Sequence, residues 1–146
     1  MATDYRPAGF HALNTYLSVT GAHQLIAFLQ AAFGAKLVYV ATDENNQVRH
    51  AQLQLDDSML ELSEASTAYP PTTVNFHFYV KSVDEVYRKA LHAGGSSTME
   101  PQDMYYGERS CGVKDPFGNT WYISTFQEVL TEAEMKAREE AWKAKN

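Results

Sequence analysis

The sequence predicts an α+β fold of two βαβββ modules followed by a C-terminal helix, and three observations lead there. First, the chain repeats itself: a shift of 61 residues puts Asn14 on Asn75, Val19 on Val80 and Gly34 on Gly95. The register survives to the end of each unit, where Glu61 falls on Tyr122 and Leu62 on Ile123. Second, each unit opens with apolar residues at every second position and then changes to a helical period. Third, clusters of turn-forming residues divide the strands that follow.

The elements can be justified in order. Segments 13–19 and 74–80 alternate as half-buried strands do. Ala22, Leu25, Ile26, Leu29 and Phe33 then share one helical face, and Val83, Val86, Tyr87, Ala90 and Leu91 share its counterpart. Gly34 and the pair Gly94-Gly95 supply helix ends, where a left-handed residue without a side chain is favoured. Ser82 with Glu85 reads as a capping box for the second helix. Strands follow at about 36–42, 48–55 and 59–64, broken by Asp43-Glu44-Asn45-Asn46 and by Asp56-Asp57. The second unit is less regular, but 109–113 and 120–126 flank Asp115-Pro116-Phe117-Gly118-Asn119, a strong hairpin turn. Thr131 with Glu134 opens a terminal helix with a Leu130/Met135 staple, and Met135, Arg138 and Trp142 share a face that docks through Trp142 on its own chain or on a second subunit. The expected organisation is one domain over 1–146, with module one at about 11–65, module two at about 72–127 and the last helix at about 131–144.

Composition narrows the function classes. With 146 residues, 45% hydrophobic and 21% charged, the chain has enough apolar surface to form a sizeable core. Twelve Lys+Arg against eighteen Asp+Glu give a net charge of −6, the wrong sign for a protein that tracks a nucleic-acid backbone. The apolar run 25–29 is far short of the roughly 20 residues that span a membrane. The leader Met1-Ala2-Thr3-Asp4-Tyr5-Arg6 lacks a basic start with an apolar stretch behind it, so a cytoplasmic location is expected. The single cysteine, Cys111, excludes an internal disulfide and a thiolate zinc cluster, and reads as a small buried residue.

Period 2 sorts the strand residues into two faces. Leu13, Leu17, Val19, Val74, Phe76, Phe78, Val80, Trp121 and Ile123 belong to the face under the helices. The other face carries Asn14, Tyr16, Ser18, His50, Gln52, Gln54, Glu61, Ser63, Asn75, His77, Tyr79, Thr120, Tyr122 and Ser124. Antiparallel sheets often expose one side to water. Several tyrosines, two histidines and a glutamate together suit a small-molecule cleft better than a wet surface.

The doubled unit, with Tyr16-Leu17-Ser18-Val19, Ala32-Phe33-Gly34-Ala35, His50-Ala51, Val80-Lys81-Ser82-Val83-Asp84 and Asp115-Pro116-Phe117-Gly118-Asn119, resembles the vicinal oxygen chelate superfamily. That group contains glyoxalase I, the bleomycin-resistance proteins and the extradiol dioxygenases. The segment Tyr106-Gly107-Glu108-Arg109 looks most like its PhnB-like branch. The resemblance covers about 13–126 and implies a mixed sheet curled around a cleft, usually completed by dimerisation. In metal-dependent members the cleft holds one divalent ion on four His, Gln or Glu side chains. Those positions fall on Asn14, Glu61, Asn75 and Tyr122, of which only Glu61 is a matching donor. An alternative set on the same face is His50, Glu61 and His77, a two-His, one-carboxylate triad.

These readings give the expectations for the site. Asn14, Tyr16, His50, Gln52, Glu61, Asn75, His77, Tyr79, Arg109 and Tyr122 are the ligand-binding candidates. His50 is a general base, a ligand contact or a hydrogen-bonded wall residue. Glu61 is an acid or base, or a partner for Arg109, which sits on the cleft side if Cys111 matches His50. Tyr16, Tyr79 and Tyr122 form an aromatic wall for a planar or cationic ligand. The expected protein is a metal-independent homodimer that sequesters a small molecule; the rival is a lyase, isomerase or dioxygenase with one divalent metal ion on the triad.

Overall fold

The computed structural model describes residues 4–146, so the first three residues of the leader lie outside the described residues. Module one is β1 (Thr15–Val19), α1 (Ala22–Phe33), β2 (Lys36–Thr42), β3 (Val48–Leu55) and β4 (Ser58–Glu64). Module two is β5 (Asn75–Tyr79), α2 (Val83–His92), β6 (Ser96–Asp103), β7 (Glu108–Lys114) and β8 (Thr120–Phe126), and α3 (Glu132–Lys145) closes the chain. The strands make two four-stranded mixed sheets ordered β1-β4-β3-β2 and β5-β8-β7-β6. The opening strand of each is parallel to its last strand, and the remaining pairs are antiparallel.

Both helices lie on the apolar faces of these sheets. Leu17, Leu25, Leu29, Leu53 and Leu62 of module one join Val83, Ala90, Cys111, Val113 and Ile123 of module two in one continuous core. The modules meet where α1 packs on α2. There Phe33, the last residue of α1, sets its ring 4.5 Å from that of Trp121 and 5.5 Å from Phe78. Gly34 ends α1 at φ 64°, as the helix-end reading requires. At Gly95 the constraint is contact instead, since a Cβ would lie 2.7 Å from Val113 Cγ1 and 2.9 Å from the Ala90 carbonyl oxygen.

Two local expectations are corrected. Leu13 is 89% exposed and β1 starts at Thr15, because Asn14 holds the preceding turn through its own side chain. Ser82 precedes α2 without a side-chain cap bond, whereas Thr131 does accept from the Glu134 amide at the start of α3. The less regular strand of module two is β6, a polar edge strand that carries Pro101 where no inner strand could accommodate it. The terminal helix touches its own chain through Trp142, whose ring lies 5.4 Å from that of Tyr105, but it buries none of its residues there. Among the described residues no helix is long and apolar enough to cross a membrane.

The β7–β8 turn is built on one buried carboxylate. Asp115 accepts hydrogen bonds from the backbone amides of Phe117 and Asn119, from Asn119 Nδ2 and from Trp121 Nε1, at 2.9–3.0 Å. Asp115→Ala leaves these donors unmet in the core and should lower unfolding free energy by about 3 kcal/mol, read from the urea midpoint.

Candidate functional site

The polar face of the first sheet gathers one cluster. Tyr16 on β1 pairs in register with Glu61 on β4, which in turn pairs with Gln52 on β3. His50, two residues before Gln52 on the same side, lies between them. Its Nδ1 is 3.2 Å from the Tyr16 hydroxyl, and its Nε2 is 3.4 Å from Glu61 Oε1 and 3.1 Å from the Gln52 amide nitrogen. The rings of Tyr16 and His50 stack at 5.6 Å, and Tyr39 of β2 adds a third ring 6.1 Å from His50. The imidazole is therefore bonded at both nitrogens, which holds its plane and leaves the Tyr16 ring, half exposed, as a platform.

The second sheet carries its own cluster on the corresponding face. Tyr79 of β5 donates to Glu108 Oε1 of β7 at 2.7 Å, and His77 stacks on Tyr79 with ring centres 4.5 Å apart. His77 Nε2 is 3.0 Å from Ser124 Oγ and 3.9 Å from Glu108 Oε2, and Ser124 is bonded to Ser110 at 2.7 Å. Tyr122 is 48% exposed beside them. Accepting from Tyr79, the Glu108 carboxylate raises the pKa of that phenol above its ordinary value, and burial adds to the effect.

The polar faces point away from the shared core, and no strand of one sheet pairs with a strand of the other, the two meeting around a small cavity between Thr15 and Leu60 on one side and Phe76 and His77 on the other. The clusters are thus two separate half-sites within one chain. His50 and Glu61 come together, but His77 belongs to the other sheet, so the two-His, one-carboxylate triad is not assembled within one chain. Among the described residues no three His, Cys, Asp or Glu side chains are grouped as metal ligands. The four positions carried over from the family do not fit a divalent ion either. Asn14 spends its amide on the His11 backbone, and Asn75 and Tyr122 share neither sheet nor contact with Glu61. Amide oxygens and a phenol are also weak metal ligands.

Arg109 is the clearest correction. The 61-residue shift relates β1 to β5 and β4 to β8, since Tyr16 pairs with Glu61 and His77 with Tyr122. It fails at β7: Gln52 faces Glu61, but the residue facing Tyr122 is Gly112, so β7 follows β3 by 60 residues. One residue of slip turns a side chain to the other face of the sheet. Ser110, not Cys111, therefore matches His50, and Arg109 points toward the helices. There it makes a two-pronged contact with Asp84 of α2 at 2.7 and 2.9 Å and reaches Asp103 at 3.3 Å, while Glu61 is left to His50. The guanidinium holds the Asp84 carboxyl below the usual carboxylate range. Cys111 is fully buried, and desolvation pushes its thiol up to about 11.

Sequence reasoning missed Tyr39 and Glu108 as members of these clusters. Tyr39 follows a bulge in β2 that shifts its face. Glu108 stands next to Arg109 in the quoted segment, and the assumed register assigned it the wrong side. Beyond Tyr16, toward the carboxyl ends of β1 and β4, a cleft of about 680 Å³ continues the first face; Ser18, Arg49, Ser63 and Tyr69 line it.

Two measurements check this chemistry. In a pH titration followed by NMR of ring-labelled tyrosine, Tyr79 should ionise above the ordinary tyrosine value near 10, and Glu108→Gln should return it toward that value. A thiol reagent such as dithionitrobenzoate should leave folded Cys111 unmodified at pH 8 and react with one equivalent per chain after denaturation.

The whole architecture can now be set beside known proteins. An uncharacterised protein of Mycobacterium bovis is 28% identical over 134 residues, covering 84% of this chain and 86% of that one. Among solved structures, TioX from Micromonospora sp. ML1 superposes with a TM-score of 0.65 at 22% identity, over 83% of this chain and all of that one. TnmS3, an antibiotic binding protein from Streptomyces sp. CB03234, does so with a TM-score of 0.64 at 16% identity, over 86% of this chain and all of that one. These likenesses establish the shared fold. Residues 10–123, which hold both βαβββ modules up to β8, match the family model itself, and the chain belongs to the Glyoxalase/Bleomycin resistance protein/Dioxygenase superfamily.

Proposed function

We propose that this chain is a metal-independent, small-molecule-binding protein that acts as a homodimer by sequestration. The observation that carries the reading is the pair of outward polar faces, each furnished with half-exposed tyrosines over a His–Glu pair. An open sheet face cannot enclose a ligand, since small-molecule sites bury 70–90% of their occupant. Two such faces set against each other can. In a two-fold dimer the first face of one protomer would meet the second face of its partner, giving two equivalent clefts walled by Tyr16 and Tyr39 on one side and Tyr79 and Tyr122 on the other. The fold is shared with TnmS3, a protein that binds an antibiotic, which supports the same use here. No side chain in either cluster is arranged as an activated nucleophile, and the donor set suits holding and orienting a ring better than holding a metal.

The test joins assembly to binding. Light scattering should give twice the chain mass, and bleomycin together with a panel of planar aromatic antibiotics should be screened by thermal shift and then by calorimetry. At least one compound should bind at one per chain. Tyr16→Ala and Tyr122→Ala should each weaken it about tenfold, a loss on the order of 1.4 kcal/mol. Turnover of a glyoxalase or dioxygenase substrate by the metal-free protein would overturn sequestration. One divalent ion per chain, lost in Glu61→Gln, would overturn metal independence in favour of a lyase, isomerase or dioxygenase.

A further inference from the structure

The cleft beyond Tyr16 has a chemical character of its own. It lies where parallel β1 and β4 end, and its floor is the register pair Ser18 and Ser63, whose side chains stand next to each other on the polar face. Arg49 enters from β3. The register of β2 against β3 shifts beside it, from Ala41 opposite His50 to Thr42 opposite Val48, and this bulge leaves Arg49 unpaired and exposed over the cleft. Tyr69, in the segment after β4, forms the far wall.

Two carboxylates also line the cleft, and both are engaged by backbone amides. Asp43 Oδ1 accepts from the amides of Asn45 and Gln47 at 2.8 and 2.9 Å, closing the β2–β3 turn. Glu64 accepts from Gly21 and Ala22 at 2.9 and 3.1 Å, where its charge faces the positive end of α1. Neither pairs with Arg49, which has no carboxylate within 4 Å among the described residues. Among the described residues its guanidinium N–H groups make no hydrogen bond, in a cleft that also offers the hydroxyls of Ser18, Ser63 and Tyr69. Guanidinium donors in this setting match an oxyanion.

We infer that Arg49 is the counter-ion for an acidic group on the bound ligand, so that the ligand is an aromatic acid whose ring lies on Tyr16 and whose carboxylate reaches the Ser18–Ser63 floor. This deepens the proposed function and rests on its aromatic cleft. The probes are 2-naphthoate and its uncharged isostere 2-naphthamide, titrated into the full-length protein at low salt and followed by amide NMR and calorimetry.

The naphthoate should bind at least tenfold more tightly than the amide, moving the resonances of residues 16, 18, 49 and 63. Arg49→Gln should abolish that preference, while Arg88→Gln, on the exposed side of α2, should preserve it. Equal affinity of both probes for the wild type, or a naphthoate preference that survives in Arg49→Gln, would overturn the inference and leave the aromatic cleft standing. Binding of neither probe would overturn the inference together with the aromatic reading on which it rests.

Discussion

One carboxylate, that of Asp115, holds together parts of the molecule that are otherwise independent. It is 4% exposed and fully occupied by donors, the arrangement in which a buried charge is tolerated. Each donor belongs to a different task. The amides of Phe117 and Asn119 close the β7–β8 turn. Asn119, fixed by Asp115 at its amide nitrogen, uses its carbonyl to accept from the Val74 amide, which brings in the start of β5 beside β8. Trp121 Nε1 is the last donor, and the indole it orients lies 4.1 Å from the Phe76 ring and 4.5 Å from that of Phe33. Through Phe33 the same anchor reaches α1 of the other module. The parallel β5–β8 pair, which positions His77 opposite Tyr122, thus depends on a hydrogen-bond network at its far end.

That dependence explains why the second module departs from the first. Module one joins β3 to β4 through Asp56-Asp57 alone, with Asp56 at φ 52°, whereas module two needs the five residues 115–119 to build the carboxylate turn. Counted between equivalent register pairs, Gln52 with Glu61 and Gly112 with Tyr122, the second hairpin is one residue longer, and β7 slips by that residue. The slip takes Arg109 out of the cleft and gives it to Asp84 on α2. The same slip puts Glu108 within reach of Tyr79. A structural requirement at the turn has therefore decided which side chains lie on the polar face of the sheet.

Most of the fold was legible because it follows from periodicity. The alternation in β3, β4 and β8 and the apolar stripe of α1 come from burial on one face, and burial is written in local sequence. The parts that were not legible depend on partners distant in sequence. Leu13 has the right parity for a core position but lies before the strand begins. β6 shows no apolar alternation, Met99 being its one aliphatic side chain, because it lies at a sheet edge and buries little. Tyr39, Glu108 and Arg109 have their faces set by a bulge or a register shift, and a repeat offset taken from other strands cannot report either. His50, Gln52 and Glu61 were grouped correctly because their pairing runs through one short, regular hairpin. His77 was joined to them by parity alone, which says nothing about which sheet a face belongs to.

The two clusters share residue types without sharing positions. The counterpart of Tyr16 is His77, that of Glu61 is Tyr122, and that of His50 is Ser110. Each face has nevertheless arrived at a tyrosine, a histidine and a glutamate in contact, one using β1, β3 and β4, the other β5 and β7. Simple duplication would have left these groups at equivalent sites, so the similarity was not inherited position by position. A tyrosine ring exposed to a ligand needs its hydroxyl satisfied from the side, and a His or Glu anchored in the sheet does this without covering the ring. The difference lies at the ends. The first face continues past Tyr16 to an unpaired arginine, whereas the second turns its only arginine inward to Asp84, so a ligand held between two such faces would meet a single polarity and have one preferred orientation.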